Sequence, residues 1–136
     1  MEEHNWKLDR KYRVIAAKET RCEIFNTDEA DIVVVAYGTA ARVAKGAIKR
    51  LGDHGIKAGL FRPISLWPFP TEELRRLAGT RKEFFVFEMS TGQMLEDVRL
   101  ALQGYADIAF HGRPGGVVPT PVELANVIVR QYRRDR

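Results

Sequence analysis

Cysteine is nearly absent: Cys22 stands alone in 136 residues. That excludes an internal disulfide and any cluster held by several cysteines of this chain. Histidine is sparse too. His4, His54 and His111 lie far apart, none at metal-ligand spacing from another or from Cys22, so metal binding by this chain alone is not expected. No apolar run approaches the roughly 20 residues that cross a bilayer. The opening MEEHNWKLDRKY is charged where a signal peptide is apolar, which points to a cytoplasmic protein without a membrane partner. Glycine is scarce where a dinucleotide fold requires it. AYGTAAR has Gly38 alone, and no phosphate-cradling loop followed by lysine and a hydroxyl occurs, so Rossmann and P-loop functions are excluded.

What is present describes one ordinary globular domain. The chain is 45% hydrophobic, and a length of this order buries two-thirds or so of its unfolded surface. Net charge is +4 and the pI about 9.4. The arginines are mostly interleaved with acids, as in TEELRRLAG and LEDVRLAL, and only the tail RQYRRDR is a basic cluster. Cations there suit the negative end of a helix dipole. Nucleic acid is therefore not an expected partner.

Four short apolar runs recur: IVVVAY from Ile32, AGLF from Ala58, FFVF from Phe84 and IAF from Ile108. They lack strict alternation, as strands buried on both faces of a parallel sheet do. Between them run helical stripes. Ala40, Val43, Ala44, Ala47, Ile48 and Leu51 form one, and Met94, Leu95, Val98, Ala101, Leu102 and Tyr105 a second. Leu124, Val127, Ile128 and Tyr132 continue a third. Gly52 and Gly55 stop the first helix, RPISLWPFP makes a long proline-pinned exit from the second strand, and TPVE at 120–123 is a capping box. Strand and helix in repeated alternation predict an α/β sandwich with right-handed crossovers. Residues 1–30 read as an arm, a helix followed by the short edge strand CEIF, and residues 31–136 as the α/β domain. Trp6 on the arm suggests packing against a neighbouring domain.

Candidate site residues gather where strands end. Glu88 closes an apolar strand, at the place where α/β folds keep their sites, but no second titratable group adjoins it in sequence. A hydrogen-bonded structural carboxylate is the favoured reading. Arg62 closes the second strand as a charge partner or an anion ligand. Ser90-x-x-Gln93 reads as a capping box, with Thr91 exposed between them and Gly92 permitting close approach. Arg113 lies in HGRPGG, which reads as a structural turn. If the second and third strands flank the first on opposite sides, a crevice opens between the helix starts after Gly38 and Ser90. Gly38, Thr39, Ser90 and Thr91 would line it, the default location for a ligand in open α/β sheets, and two helix N-termini there would suit an anion.

The stretches VAYGTAARVAKGAI, GLFRPISLWPFP, FEMSTGQMLEDVRLAL and GRPGGVVPTPVE resemble the C-terminal domain of the alpha-type subunit of 2-oxoacid:ferredoxin oxidoreductases. The arm HNWKLDRKYRVIAAKETRCEIFNTDEADIV resembles the linker and first elements of that region, so the likeness covers nearly the whole chain. It is strongest to the 2-ketoisovalerate branch, with the 2-oxoglutarate branch as runner-up. Related domains of 2-oxoacid dehydrogenases and transketolases are a weaker alternative.

The resemblance implies a three-layer α/β/α sandwich like the transketolase C-terminal domain, with a mixed, mostly parallel five-stranded sheet and an antiparallel first strand. It also implies a parent complex with thiamine diphosphate, magnesium, iron–sulfur clusters and coenzyme A, passing electrons to ferredoxin. In that family the catalytic glutamate lies in a larger preceding domain, and the diphosphate, metal and cluster sites lie in partner subunits. The chain is therefore expected to bind no cofactor alone and to serve assembly, contacting the N-terminal domain of its own subunit and other subunits. On that reading Gly38, Thr39, Arg62, Glu88, Ser90, Thr91, Gly92, Gln93 and Arg113 mark an interface or anion-facing corner, and none is assigned to catalysis.

Overall fold

The computed structural model describes residues 1–79 and 83–134. Thr80, Arg81 and Lys82, and the tail residues Asp135 and Arg136, lie outside the described residues. In chain order the elements are α1 (Glu2–Glu19), β1 (Cys22–Phe25), β2 (Ile32–Val35), α2 (Gly38–Leu51), β3 (Ala58–Pro63), α3 (Thr71–Ala78), β4 (Glu83–Glu88), α4 (Gln93–Leu102), β5 (Ile108–Gly112) and α5 (Pro121–Arg134).

The five strands form one sheet in the order β1-β3-β2-β4-β5. β3, β2, β4 and β5 run parallel, and β1 closes one edge antiparallel to β3, as the resemblance implies. Every residue of β2 is buried because both of its faces are covered. Ile32 and Val34 join Phe85, Phe87, α2 and α5 in one core, while Val33 and Val35 join Phe84, Val86, α3 and α4 in the other. Two covered faces leave no polar side to alternate with, which explains the unbroken apolar runs. The result is the expected three-layer sandwich.

Local chemistry fixes the helix ends. Gly52 and Gly55 close α2 through a short 3-10 turn, Gly55 with a positive φ of 74°. At the start of α5 the capping box forms. The Thr120 amide donates to Glu123 Oε2 at 2.6 Å and the Glu123 amide to Thr120 Oγ1 at 3.2 Å. α2 and α5 approach closely at Gly46, where an added Cβ would meet Pro121 Cγ at 2.8 Å.

Three features depart from the sequence reading. TEELRRLA forms α3, a helix the charge pattern hid, because only Leu74 and Ala78 of its eight residues are buried. Tyr105 is 78% exposed and lies beyond α4, which stops at Leu102 when Gln103 and Gly104 adopt positive φ. Ser90 and Gln93 do not form a capping box. The N-cap position of α4 is Gly92, and Glu88 takes over the capping.

The arm divides in two. β1 is an integral strand, whereas the 18-residue α1 contains no buried residue. Its Tyr12 meets Trp67 edge-on at 5.6 Å, and the Arg21 amide that follows donates to Ser65 Oγ at 2.9 Å. Trp67 belongs to the proline-pinned loop after β3, which has a cis Trp67–Pro68 bond.

Candidate functional site

β2 has β3 on one side and β4 on the other, the strand order that the sequence reading required for a crevice between β2 and β4. The helices that follow these two strands cover opposite faces: α2 belongs to one core and α4 to the other. The sequence-predicted residues divide into two groups around this edge.

The first group is a corner built on Glu88, which is 0% exposed at the end of β4. Its Oε1 accepts from the Gly92 amide at 3.3 Å and the Met94 amide at 3.4 Å, and its Oε2 from the Leu95 amide at 2.9 Å. The Ser90 hydroxyl donates to Oε1 as well. The first amides of a helix have no partner within it, and the dipole there favours an acceptor carrying negative charge. A buried carboxylate needs donors as much as those amides need an acceptor, so Glu88 displaces the weaker hydroxyl from the cap. Gln93 turns back on Thr91 instead, its Oε1 accepting from the Thr91 amide and its Nε2 donating to Thr91 Oγ1, both at 3.2 Å. Gly92 is required for its backbone. Its φ is 119°, whereas an added Cβ would meet only ordinary contacts with Leu95 and Phe110. The close approach falls at Gly112, where a Cβ would lie 2.5 Å from the Ser90 carbonyl oxygen.

Arg113 joins this corner through its backbone, its amide donating to the Glu88 carbonyl at 3.0 Å. Its side chain lies 3.8 Å from Glu123. Gly115 and Gly116 both take positive φ, as a structural turn requires. Beside the corner, His111 stacks on Phe87 at 6.0 Å. Burial holds its pKa below the ordinary value, with Arg113 and Arg130 adding to the effect. Asp97 on α4 shifts upward, chiefly through burial and then through Glu96 and Glu88.

The second group is basic. Gly38, Ala41 and Arg42 at the start of α2, with Lys45 one turn on and Arg62 of β3, line a cavity of about 130 Å³. Glu23 of β1, directly across the ladder from Arg62, bridges two of these cations. Lys45 Nζ lies 2.5 Å from Glu23 Oε1 and Arg62 Nη1 lies 3.0 Å from Oε2. These bonds, first to Lys45 and then to Arg62, lower the Glu23 pKa. Sequence reasoning found Arg62 but missed Glu23, Arg42 and Lys45. The signals available were the three-residue spacing of Arg42 and Lys45 on one helix face and the antiparallel register of CEIF. Gly38 and Arg62 thus come together, Thr39 is exposed on the first turn of α2, and Ser90 and Thr91 belong to the other group.

Among the described residues no three His, Cys, Asp or Glu side chains are grouped to hold a metal ion. Cys22 is a free, half-buried thiol whose pKa is raised, mainly by burial and then by Glu73. A ligand set for a magnesium ion or an iron–sulfur cluster is therefore not assembled among the described residues.

Residues 30–124 match the family described as pyruvate:ferredoxin oxidoreductase core domain II. The chain belongs to this family. As a core domain II chain it is 42% identical over 128 residues to the ketoisovalerate oxidoreductase subunit VorB of Methanothermobacter marburgensis, covering 94% of this chain and 35% of that protein. It is 35% identical over 103 residues to the 2-oxoglutarate synthase subunit KorA of the same organism, covering 76% of this chain and 28% of that one.

The chain thus spans about a third of the length of the curated relatives it matches. Among solved structures, the fold resembles the 2-oxoglutarate:ferredoxin oxidoreductase of Magnetococcus marinus with 2-oxoglutarate, coenzyme A and succinyl-CoA bound. That match has a TM-score of 0.69 at 23% identity and covers 87% of this chain and 21% of that one. A split-gene transketolase in an inactive β4 tetramer follows at 0.67 and 20%, covering 81% and 40%. This core domain II therefore has the transketolase C-terminal fold expected from the sequence.

Proposed function

We propose that the chain is a non-catalytic assembly domain of a thiamine-diphosphate-dependent 2-oxoacid:ferredoxin oxidoreductase, of the 2-ketoisovalerate type. In this cytoplasmic complex a 2-oxoacid, coenzyme A and oxidised ferredoxin give acyl-CoA, carbon dioxide and reduced ferredoxin. Thiamine diphosphate, magnesium, the iron–sulfur clusters and coenzyme A are held elsewhere in it. The partners of this chain are the N-terminal domain of its subunit and the neighbouring subunits, and ferredoxin is reached through them.

The observation that carries the reading is α1. An 18-residue helix that buries no residue stands beside a loop that exposes apolar side chains. Trp6, Tyr12, Val14, Ile64, Leu66 and Trp67 are all exposed, Trp67 to 64%. Exposed apolar surface of this kind marks a contact with another protein surface. The higher identity to the ketoisovalerate relatives than to the 2-oxoglutarate ones supports the substrate branch.

The test is complementation. A ketoisovalerate oxidoreductase lacking the corresponding domain should regain ferredoxin reduction when this chain is added. The Tyr12→Glu, Trp67→Glu double variant should fold normally and fail to restore it. The chain alone should show no turnover and no heat of thiamine diphosphate binding with magnesium. Turnover or cofactor binding by the isolated chain, or rescue by the double variant, would overturn the proposal.

A further inference from the structure

The basic cavity between α2 and β3 is not explained by assembly through α1. Three cationic side chains, Arg42, Lys45 and Arg62, face it, and the carboxylate of Glu23 engages only Lys45 and Arg62. Among the described residues Arg42 has no ion pair. The Nε of Arg62 is sealed from solvent and makes no hydrogen bond, although guanidinium donors in such a place are normally satisfied. The first turn of α2, which forms one wall, contains no acid and receives no side-chain cap. Positive charge thus exceeds negative in a small concave site, and the Arg42 guanidinium on its wall is uncommitted to any ion pair among the described residues.

Size and chemistry narrow the ligand. About 130 Å³ falls well short of the roughly 300–1,000 Å³ of a pocket for a drug-sized molecule. A planar guanidinium, an ammonium and a second guanidinium suit a multidentate oxyanion. We propose that this cavity binds a single phosphoryl dianion, either inorganic phosphate or the exposed end of a phosphate monoester. Glu23 acts as the internal competitor: it holds Lys45 and Arg62 in place and weakens the site by its own charge. The proposal is independent of the assembly role, because neither Tyr12 nor Trp67 lines the cavity.

The test is an NMR titration of the 136-residue chain at constant ionic strength, with inorganic phosphate, methyl phosphate and acetate in separate arms. Phosphate should shift the Gly38 and Thr39 amides and the arginine Nε–H signals saturably, in the low millimolar range or tighter, while acetate leaves them nearly unmoved. Arg42→Gln, on an exposed residue, should weaken binding by about tenfold, the scale of one charge-assisted hydrogen bond. Glu23→Gln should tighten it, a change of sign that general destabilisation does not produce. Equal saturation by methyl phosphate would assign the site to a monoester end, and saturation by inorganic phosphate alone to the free ion. Absence of a saturable shift, an equal response to acetate, or weaker binding by Glu23→Gln would overturn the proposal.

Discussion

Glu88 offers the sharpest test of how the β4–α4 corner is held. In Glu88→Ala the amides of Gly92, Met94 and Leu95 and the hydroxyl of Ser90 lose a shared acceptor. Gly92, Met94 and Leu95 are buried, and a buried donor left unpaired costs about 1–3 kcal/mol. The Leu95 bond, at 2.9 Å, should carry the full penalty, whereas those at 3.3 and 3.4 Å are long and count for less. A loss of about 3–5 kcal/mol follows, a large part of the roughly 5–15 kcal/mol that holds a domain folded.

Glu88→Gln keeps one carbonyl oxygen for Leu95 and can aim its amide at the Ser90 oxygen, so about 1–2 kcal/mol is expected. Urea denaturation monitored by fluorescence would rank Ala below Gln below the parent. Hydrogen exchange should show the Leu95 amide losing protection in Glu88→Ala before the centre of α2 does. If Glu88→Ala cost under about 1 kcal/mol, water would be satisfying these amides and the corner would not rest on the carboxylate.

Gly46→Val would force side-chain atoms into Pro121, whose Cγ lies 2.8 Å from the Cβ position, and should cost about 1–3 kcal/mol by thermal denaturation. His111 binds its proton less readily folded than unfolded. Stability should therefore rise with pH from below the folded pKa up to about 6.5, then level off. A His111→Gln variant should show a flatter curve over that range in urea titrations at several pH values.

The sheet was legible in sequence because burial on both faces leaves a mark in composition. Ile32–Val35 and Phe84–Phe87 could be little else than central strands once helical stripes flanked them. The TPVE cap was legible because its partners are three residues apart. What escaped was set by distance along the chain. Ser90 has the sequence of a cap, but the acceptor that wins is Glu88, whose stronger bonds appear only when β4 delivers it beneath α4. Arg62 was read as a charge partner or an anion ligand, yet Glu23 lies 39 residues earlier and is brought opposite it by the antiparallel edge. α3 was hidden because a short helix with two buried residues leaves too weak a period against its charges.

Glu88 also ties two loops into one plate. Its side chain secures the Thr91–Gln93 turn, and its carbonyl secures Arg113, the first residue beyond β5. Gly112 lets the Ser90 backbone rest directly on that exit. A neighbour leaning on either loop therefore leans on both, and the rim answers as a single stiff surface.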